Sequence, residues 1–375
     1  MSKSTENEEK VSQQSEEFES EPVTEMGNLF VDQTNMVTEK IQIKSVQEMC
    51  TELPNNLKSP KPKIVGFLFT DFSGCFFEVK ITVNGIENSC VAKALRDPND
   101  IRRQLRRFIS SQKLDDHPNI VKIKMVYLKM DGAAPELYLI MDHFEKCLYS
   151  TLMNTHQVSV NQKIITPSNL PFLHRIRYAF QIANGLAYLH SHEPQIFHGN
   201  LKPDHVLIIG RKAKLYNMRF MDSDDIIDKT GTKASTEAGR NDGYRYDAPE
   251  YTNREKDANG NYISFQYTTQ CDVYSAGAIF FWLVTGFPPW KCAALFQMTA
   301  QPLRNTLKPQ EGCPEWLFEL CKECIDPEPA NRPKDGAAIV AKILAGIKKE
   351  KDGAAILAEI LQEIEGPKDG AAKCG

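Results

Sequence analysis

The densest group of chemically able side chains lies in His198-Gly199-Asn200-Leu201-Lys202-Pro203-Asp204-His205. Two imidazoles, an amide, an ammonium and a carboxylate fall within this one loop, and the apolar run Val206-Leu207-Ile208-Ile209 follows as a short strand. An amide does not take up a proton near neutral pH, so Asn200 is no general base. Imidazole suits a hard, oxygen-seeking cation poorly, which makes His205 a weak magnesium ligand. Further polar groups stand in apolar surroundings at Lys93 and Asn217, and Arg102, Arg103, Arg106 and Arg107 form a basic run. Cys321-x-x-Cys324 has metal-like spacing, but it has no second pair and sits in a helical pattern. That speaks for core thiols rather than zinc.

The elements that must position these groups are readable from periodicity. Ile64–Thr70 and Cys75–Val83 are β-rich, Cys90–Leu95 is a further strand, and Ile120–Lys129 with Glu136–His143 form a hairpin around Met130-Asp131-Gly132. Asp100 to Leu114 is predicted helical through Ile101, Leu105, Phe108 and Ile109, capped by Asn99 or Asp100, with no carboxylate between Ile101 and Leu114. Leu170–Leu189 is a second helix, and Cys271–Gly277 opens an apolar one. The tail carries a 17-residue repeat, Asp335-Gly336-Ala337-Ala338, Asp352-Gly353-Ala354-Ala355 and Asp369-Gly370-Ala371-Ala372. Each Asp reads as an N-cap and each copy as one amphipathic helix. Seventeen steps of about 100° leave successive apolar stripes out of phase, so a break is expected near Lys349–Lys351.

Length and composition bound the rest. The chain has 375 residues with 41% hydrophobic content, enough for one sizeable core. Its formal charge is −4, and the first 25 residues hold eight Glu against two Lys, so the remainder carries no nucleic-acid footprint. No apolar stretch reaches the roughly 18 residues needed to span a membrane. Met1-Ser2-Lys3 starts neither a signal peptide nor a myristoylation site, and the ten cysteines lack a framework spacing, so a cytoplasmic protein with reduced thiols is expected. Residues 1 to about 58 are polar and Glu-rich and are expected to be mostly disordered, with Leu53–Lys63 a linker edge.

Taken in order, these motifs resemble the protein kinase superfamily. The loop at His198 is similar to the catalytic loop H-R-D-L-K-x-x-x-N, and Gly243–Glu250 ends in an intact A-P-E. The resemblance implies an α+β, bilobal fold with a small antiparallel β lobe and a larger helical lobe, here with a disordered N-terminal tail and an extra C-terminal helix. The implied division is 1–60 tail and linker, 61–346 kinase-like domain, and 347–375 repeat helix and tail.

The same resemblance assigns the site. Asn200 stands where a kinase has its catalytic Asp, His205 where it has the Asn that holds a second Mg²⁺, and Asn217 where D-F-G has its metal-binding Asp. Phe72-Ser73-Gly74-Cys75-Phe76-Phe77-Glu78-Val79, laid on the glycine-rich loop, keeps Gly74, Phe76 and Val79 and puts Phe72 and Phe77 at the outer glycines, which implies a loop packed down on the cleft. Lys93 resembles the phosphate-holding lysine, but two registers are open. If Val91 faces the cleft, Lys93 is in place; if Ala92 does, Ala94 takes its position.

The Glu that should hold this lysine falls near Arg107, so that ion pair is absent. Met141 is the gatekeeper and Asp142-His143-Phe144 the hinge, whose backbone keeps ATP, without Mg²⁺, as a candidate ligand. His198, Glu250, Asp272 and Arg332 are implied to serve the fold, Glu250 with Arg332 and Asp272 with the backbone around His198. The residues together read as a pseudokinase, a scaffold or allosteric regulator whose partners are proteins, an active kinase among them. The basic helix is a candidate surface. The alternatives are a Ser/Thr kinase with a rearranged site using Lys202 and Lys93, and an ATP-sensing switch without turnover.

Overall fold

Period-two alternation from Lys63 to Leu95 produces three long strands, β1 (Lys63–Asp71), β2 (Gly74–Val83) and β3 (Ile86–Leu95). With β4 (Ile123–Lys129) and β5 (Glu136–Asp142) they form an antiparallel sheet in the order β1-β2-β3-β5-β4. The structure, a computed structural model, describes residues 46–51, 53–71, 74–130, 134–144, 146–153, 158–159, 164–165, 168–218, 245–252, 265–289 and 303–365.

Helix α1 (Pro98–Ser111) crosses between β3 and β4. Ile101, Leu105 and Phe108, spaced by four and three, are fully buried and hold it on the sheet. Its cap is Asp97, whose Oδ1 accepts the Asp100 N–H at 3.0 Å, rather than Asn99 or Asp100. The helix also ends three residues before the expected Leu114.

Beyond β5 the chain forms the helical lobe. β6 (Lys146–Cys147), α2 (Leu148–Met153), the β7 (Val158–Ser159) and β8 (Ile164–Ile165) pair, and α3 (Phe172–His190) lead into β9 (Val206–Ile209) and β10 (Lys212–Leu215). α4 (Pro249–Thr252), α5 (Thr269–Thr285), α6 (Glu315–Cys324), α7 (Gly336–Ile347) and α8 (Gly353–Glu365) complete it. α5 is apolar on every face because it is buried on every face, Trp282 included, and Gly286 ends it in a left-handed cap at φ +76°.

The repeat resolves into two helices. Asp335 accepts the Ala338 N–H at 2.9 Å and caps α7, whose Ile339, Ile343 and Ile347 join the helical-lobe core. The chain turns over 348–352, and α8 then packs back on the lobe through fully buried Ile360 and a 2.8 Å bond from Arg177 Nη2 to Glu359. The third copy lies outside the described residues.

The expected tail and linker reach into the small lobe. Residues 46–51 are helical, Val46 and Leu53 are buried in one cluster with Ile101, Leu105 and Phe108, and the Ser59 N–H bonds the Val126 carbonyl at 2.7 Å. Val46, Met49, Cys50 and Leu53 share a helical face that the Glu-rich average conceals. This stretch belongs to the small lobe rather than to a linker.

Candidate active-site cleft

Strand pairing decides which side chains face the cleft. In β2 and β3, Phe76 lies opposite Lys93 and Glu78 opposite Val91, while β5 sets Leu139 against Lys93 and Met141 against Val91. Opposed residues share a face, so Phe76, Val91, Lys93 and Met141 point the same way, toward α1 and the helical lobe. The first of the two registers therefore holds: Lys93 is on the cleft face and Ala94 is not.

The same alternation corrects Val79. It is paired with Cys90 on the face opposite Lys93, in a separate cluster with Ala92 and Ile140. Phe77 likewise turns outward and meets Phe67 edge-on at 5.8 Å, so it does not cover the cleft; Phe72 lies outside the described residues. Phe76 is the aromatic that enters. It is 1% exposed, stacks on Phe69 at 4.4 Å and meets Phe144 and Tyr216 edge-on at 5.9 and 6.1 Å. Lys93 Nζ lies 5.0 Å from the Phe76 centroid and 5.5 Å from that of Tyr216, and the residue is 0% exposed. Aromatic faces attract an ammonium, and here they do so where water does not reach it.

Gly74 has a different use from phosphate approach. A Cβ there would stand 2.3 Å from the Ala94 carbonyl oxygen, so glycine lets β2 close on β3. Met141 is 0% and Phe144 1% exposed, and His143 is exposed. The small-lobe cluster containing Val91, Met141, Phe76 and Phe144 continues to Leu207 and Tyr216 of the other lobe. The apolar core runs through the cleft.

Beneath it lies a chain of hydrogen bonds. Gln104 Nε2 of α1 donates to Asn217 Oδ1 at 3.3 Å, Asn217 Nδ2 donates to His205 Nε2 at 3.0 Å, and His205 Nδ1–H donates to the Asn200 carbonyl at 2.7 Å. This is the tautomer that satisfies both neighbours of the ring. Burial, and next the Lys202 charge, push His205 well below the ordinary imidazole pKa, so it is neutral. Asn217 sits at φ +58°, a left-handed conformation that asparagine tolerates better than most residues. The group beside it on α1 is Gln104. The signal was present in the sequence as a polar residue within the stripe Ile101, Gln104, Leu105, Phe108.

The supporting residues are brought together. Asp272, fully buried, accepts the backbone N–H of His198 at 2.7 Å and of Gly199 at 3.0 Å, the Tyr267 hydroxyl at 3.0 Å and His190 Nε2 at 3.1 Å. Burial alone would raise its pKa; the bonds from His190 and the other donors outweigh it and hold the carboxylate below its usual value. Arg332 donates to both Glu250 oxygens, at 2.7 and 2.9 Å. Cys321 and Cys324 are buried thiols whose pKa burial pushes up, which keeps them protonated and suits them to the core. Asp222, Asp224, Asp225 and Asp228, Thr230, Thr232 and Ser235 lie outside the described residues. On α1, Arg103 pairs with Asp100, and Arg102 and Arg107 are half-buried.

The family description "Protein kinase domain" matches residues 73–344. The chain belongs to the protein kinase family. Among curated relatives, "CBL-interacting protein kinase 9" of Oryza sativa subsp. japonica is 25% identical over 272 residues, 69% of this chain and 52% of that protein. "CBL-interacting serine/threonine-protein kinase 9" of Arabidopsis thaliana is 26% identical over 271 residues, 69% and 53%. "Aurora kinase" of Candida glabrata is 27% identical over 265 residues, 68% and 58%. The chain spans a little over half the length of these relatives. Among the described residues no helix is long and apolar enough to cross a membrane, and no three His, Cys, Asp or Glu side chains group as a metal site.

Proposed function

We propose that this member of the protein kinase family is catalytically impaired and acts as a scaffold or allosteric regulator in signalling, with protein partners that include an active kinase. Its place is the cytoplasm, and its functional unit is 61–346, extended at the C-terminus by the repeat helix of 347–375 and at the N-terminus by the small-lobe segment from Val46. The observation that carries this reading is the bonding of Asn217 to His205, the two positions where a kinase presents its metal-binding side chains. Neither carries a negative charge, and Asn217 uses both ends of its amide on His205 and Gln104. A hard divalent cation seeks anionic oxygens, so MgATP does not fit this donor set. Phe76 and Tyr216 lie under the Lys93 ammonium and Phe144 packs on Phe76, contacts that support a cleft packed with aromatic rings. With Asn200 unable to accept a proton, loss of the base alone costs about 10²–10⁴-fold, and loss of metal charge removes a larger contribution.

A second reading, a working Ser/Thr protein kinase, is favoured by the register that puts Lys93 in the cleft and by relatives named as kinases. It requires the aromatic cluster to part and Asp204 or another acid to reach the γ-phosphate. A thermal-shift titration with ATP, with and without Mg²⁺ or Mn²⁺, separates the readings, since any native-state ligand raises stability. No shift at millimolar nucleotide supports the scaffold; a metal-independent shift supports an ATP-sensing switch. A metal-dependent shift with phosphate transfer lost in Lys202→Ala overturns the proposal.

A further inference from the structure

We propose that the outer face of α1 is a docking site for the chain's own Glu-rich N-terminal segment, Glu6 to Glu25, held by Arg102 and Arg106. Among the described residues these two arginines make no hydrogen bond and no ion pair, whereas Arg103 is tied to Asp100. Arg102 is half-buried, with its Nε–H closed off from solvent, which leaves the end of its guanidinium as the part able to meet a carboxylate. Arg106 is exposed one turn further along the same face. Two guanidinium forks at this spacing match a run of carboxylates better than a single charge.

The occupant follows from where the chain enters the fold. Val46 and Leu53 are buried in the cluster that contains Ile101, Leu105 and Phe108 of α1, so Val46 anchors the end of the N-terminal segment at this helix. Glu16-Glu17-Phe18-Glu19-Ser20-Glu21 carries four carboxylates in six residues and is the densest acidic run of that segment. The linker to Val46 has about 25 residues, which reach roughly 25–30 Å even when unstructured. Helix α1, at 14 residues, is about 21 Å long. Tethering at such range gives an effective concentration of roughly millimolar, so contacts too weak to bind in trans suffice in cis. Gln104, on the opposite face of α1, bonds Asn217, and a docked acid run would hold the helix that carries this contact. The proposal stands whether or not the cleft transfers phosphate.

Chymotrypsin cleavage after Phe18 in the full chain tests it, followed as loss of the N-terminal fragment by mass. In the wild type, cleavage is expected to be slow at about 0.05 M salt and at least fivefold faster at about 0.5 M, where the Debye length falls to roughly 4 Å. Arg102→Glu with Arg106→Glu is expected to be fast at both; Arg106→Glu alone, at an exposed site, covers the case in which the double variant misfolds. Equal rates for wild type and Arg106→Glu at both salts overturn the proposal. So does a wild type protected equally at both, which places the segment elsewhere. An added poly-glutamate peptide that binds while Phe18 stays unprotected also overturns it, making the surface one for an acidic partner.

Discussion

Replacing Phe76 by alanine separates a cleft closed by packing from one closed by a missing ligand. The ring is 1% exposed, stacked on Phe69, edge-on to Phe144 and Tyr216, and lies under the Lys93 ammonium. Phe→Ala in a core costs about 3–5 kcal/mol from lost transfer energy and the cavity left behind. The cation–π contact adds to this, because Lys93 loses a partner in a dry site. At roughly 2 °C per kcal/mol for a domain of this size, Phe76→Ala should melt about 6–10 °C lower. The vacated space lies beside Lys93, so the variant should bind nucleotide more tightly than the wild type. A Kd of about 0.5 mM at about 5 mM ATP restores roughly 1.4 kcal/mol, or about 3 °C. Differential scanning fluorimetry of both proteins, with and without ATP, measures both effects. A wild type that shifts as much as the variant, or a variant that loses under about 1 kcal/mol, refutes the packing argument.

The other expectations follow from the supporting contacts. Glu250→Ala leaves the buried Arg332 with backbone carbonyls and the Tyr274 ring but no carboxylate, and should cost about 3 kcal/mol in urea unfolding. Gly336→Ala places a Cβ 2.2 Å from the Ala187 backbone nitrogen and should destabilise by about 2–3 kcal/mol, whereas Gly66→Ala, with nothing within 4 Å, should be near neutral. Burial, reinforced by Lys214, lowers the His117 pKa to about 4, so between about pH 6.5 and 4 the unfolded chain binds the extra proton. His117 therefore contributes stability that is fully kept above about pH 6.5 and lost as pH falls toward 4. Discounted for the half-exposed ring, the loss is about 1–2 kcal/mol, and His117→Asn should flatten that part of the stability–pH curve.

The legible part of the site consisted of residues whose neighbours in sequence fix their place. Loop order alone located His198, Asn200, His205 and Asn217, and the pairing of Arg332 with Glu250 followed from motifs with little freedom in a helical lobe. Strand face was harder, because a one-residue shift turns every side chain over. Laying Phe72 to Val79 on a loop motif puts Phe77 and Val79 at the cleft, whereas the strand alternation turns both away and turns Phe76 in. Gln104 was visible only as a polar interruption of an apolar stripe. Its partner Asn217 lies 113 residues away, and no local pattern links them.

What the sequence by itself determined is the chemistry on offer: two amides and an imidazole at the positions that the kinase resemblance aligns with two carboxylates and an amide, on elements whose periodicity is plain. That chemistry is a property of side-chain type and survives any arrangement of the chain. Only the tertiary structure decided that Asn217 and His205 satisfy each other, with Gln104 and the Asn200 carbonyl as outer partners, and that an aromatic cluster with a buried lysine occupies the space above them. Burial and hydrogen-bond partnership depend on which strand register and which helix face meet in space, and those are set by packing between segments far apart in the chain.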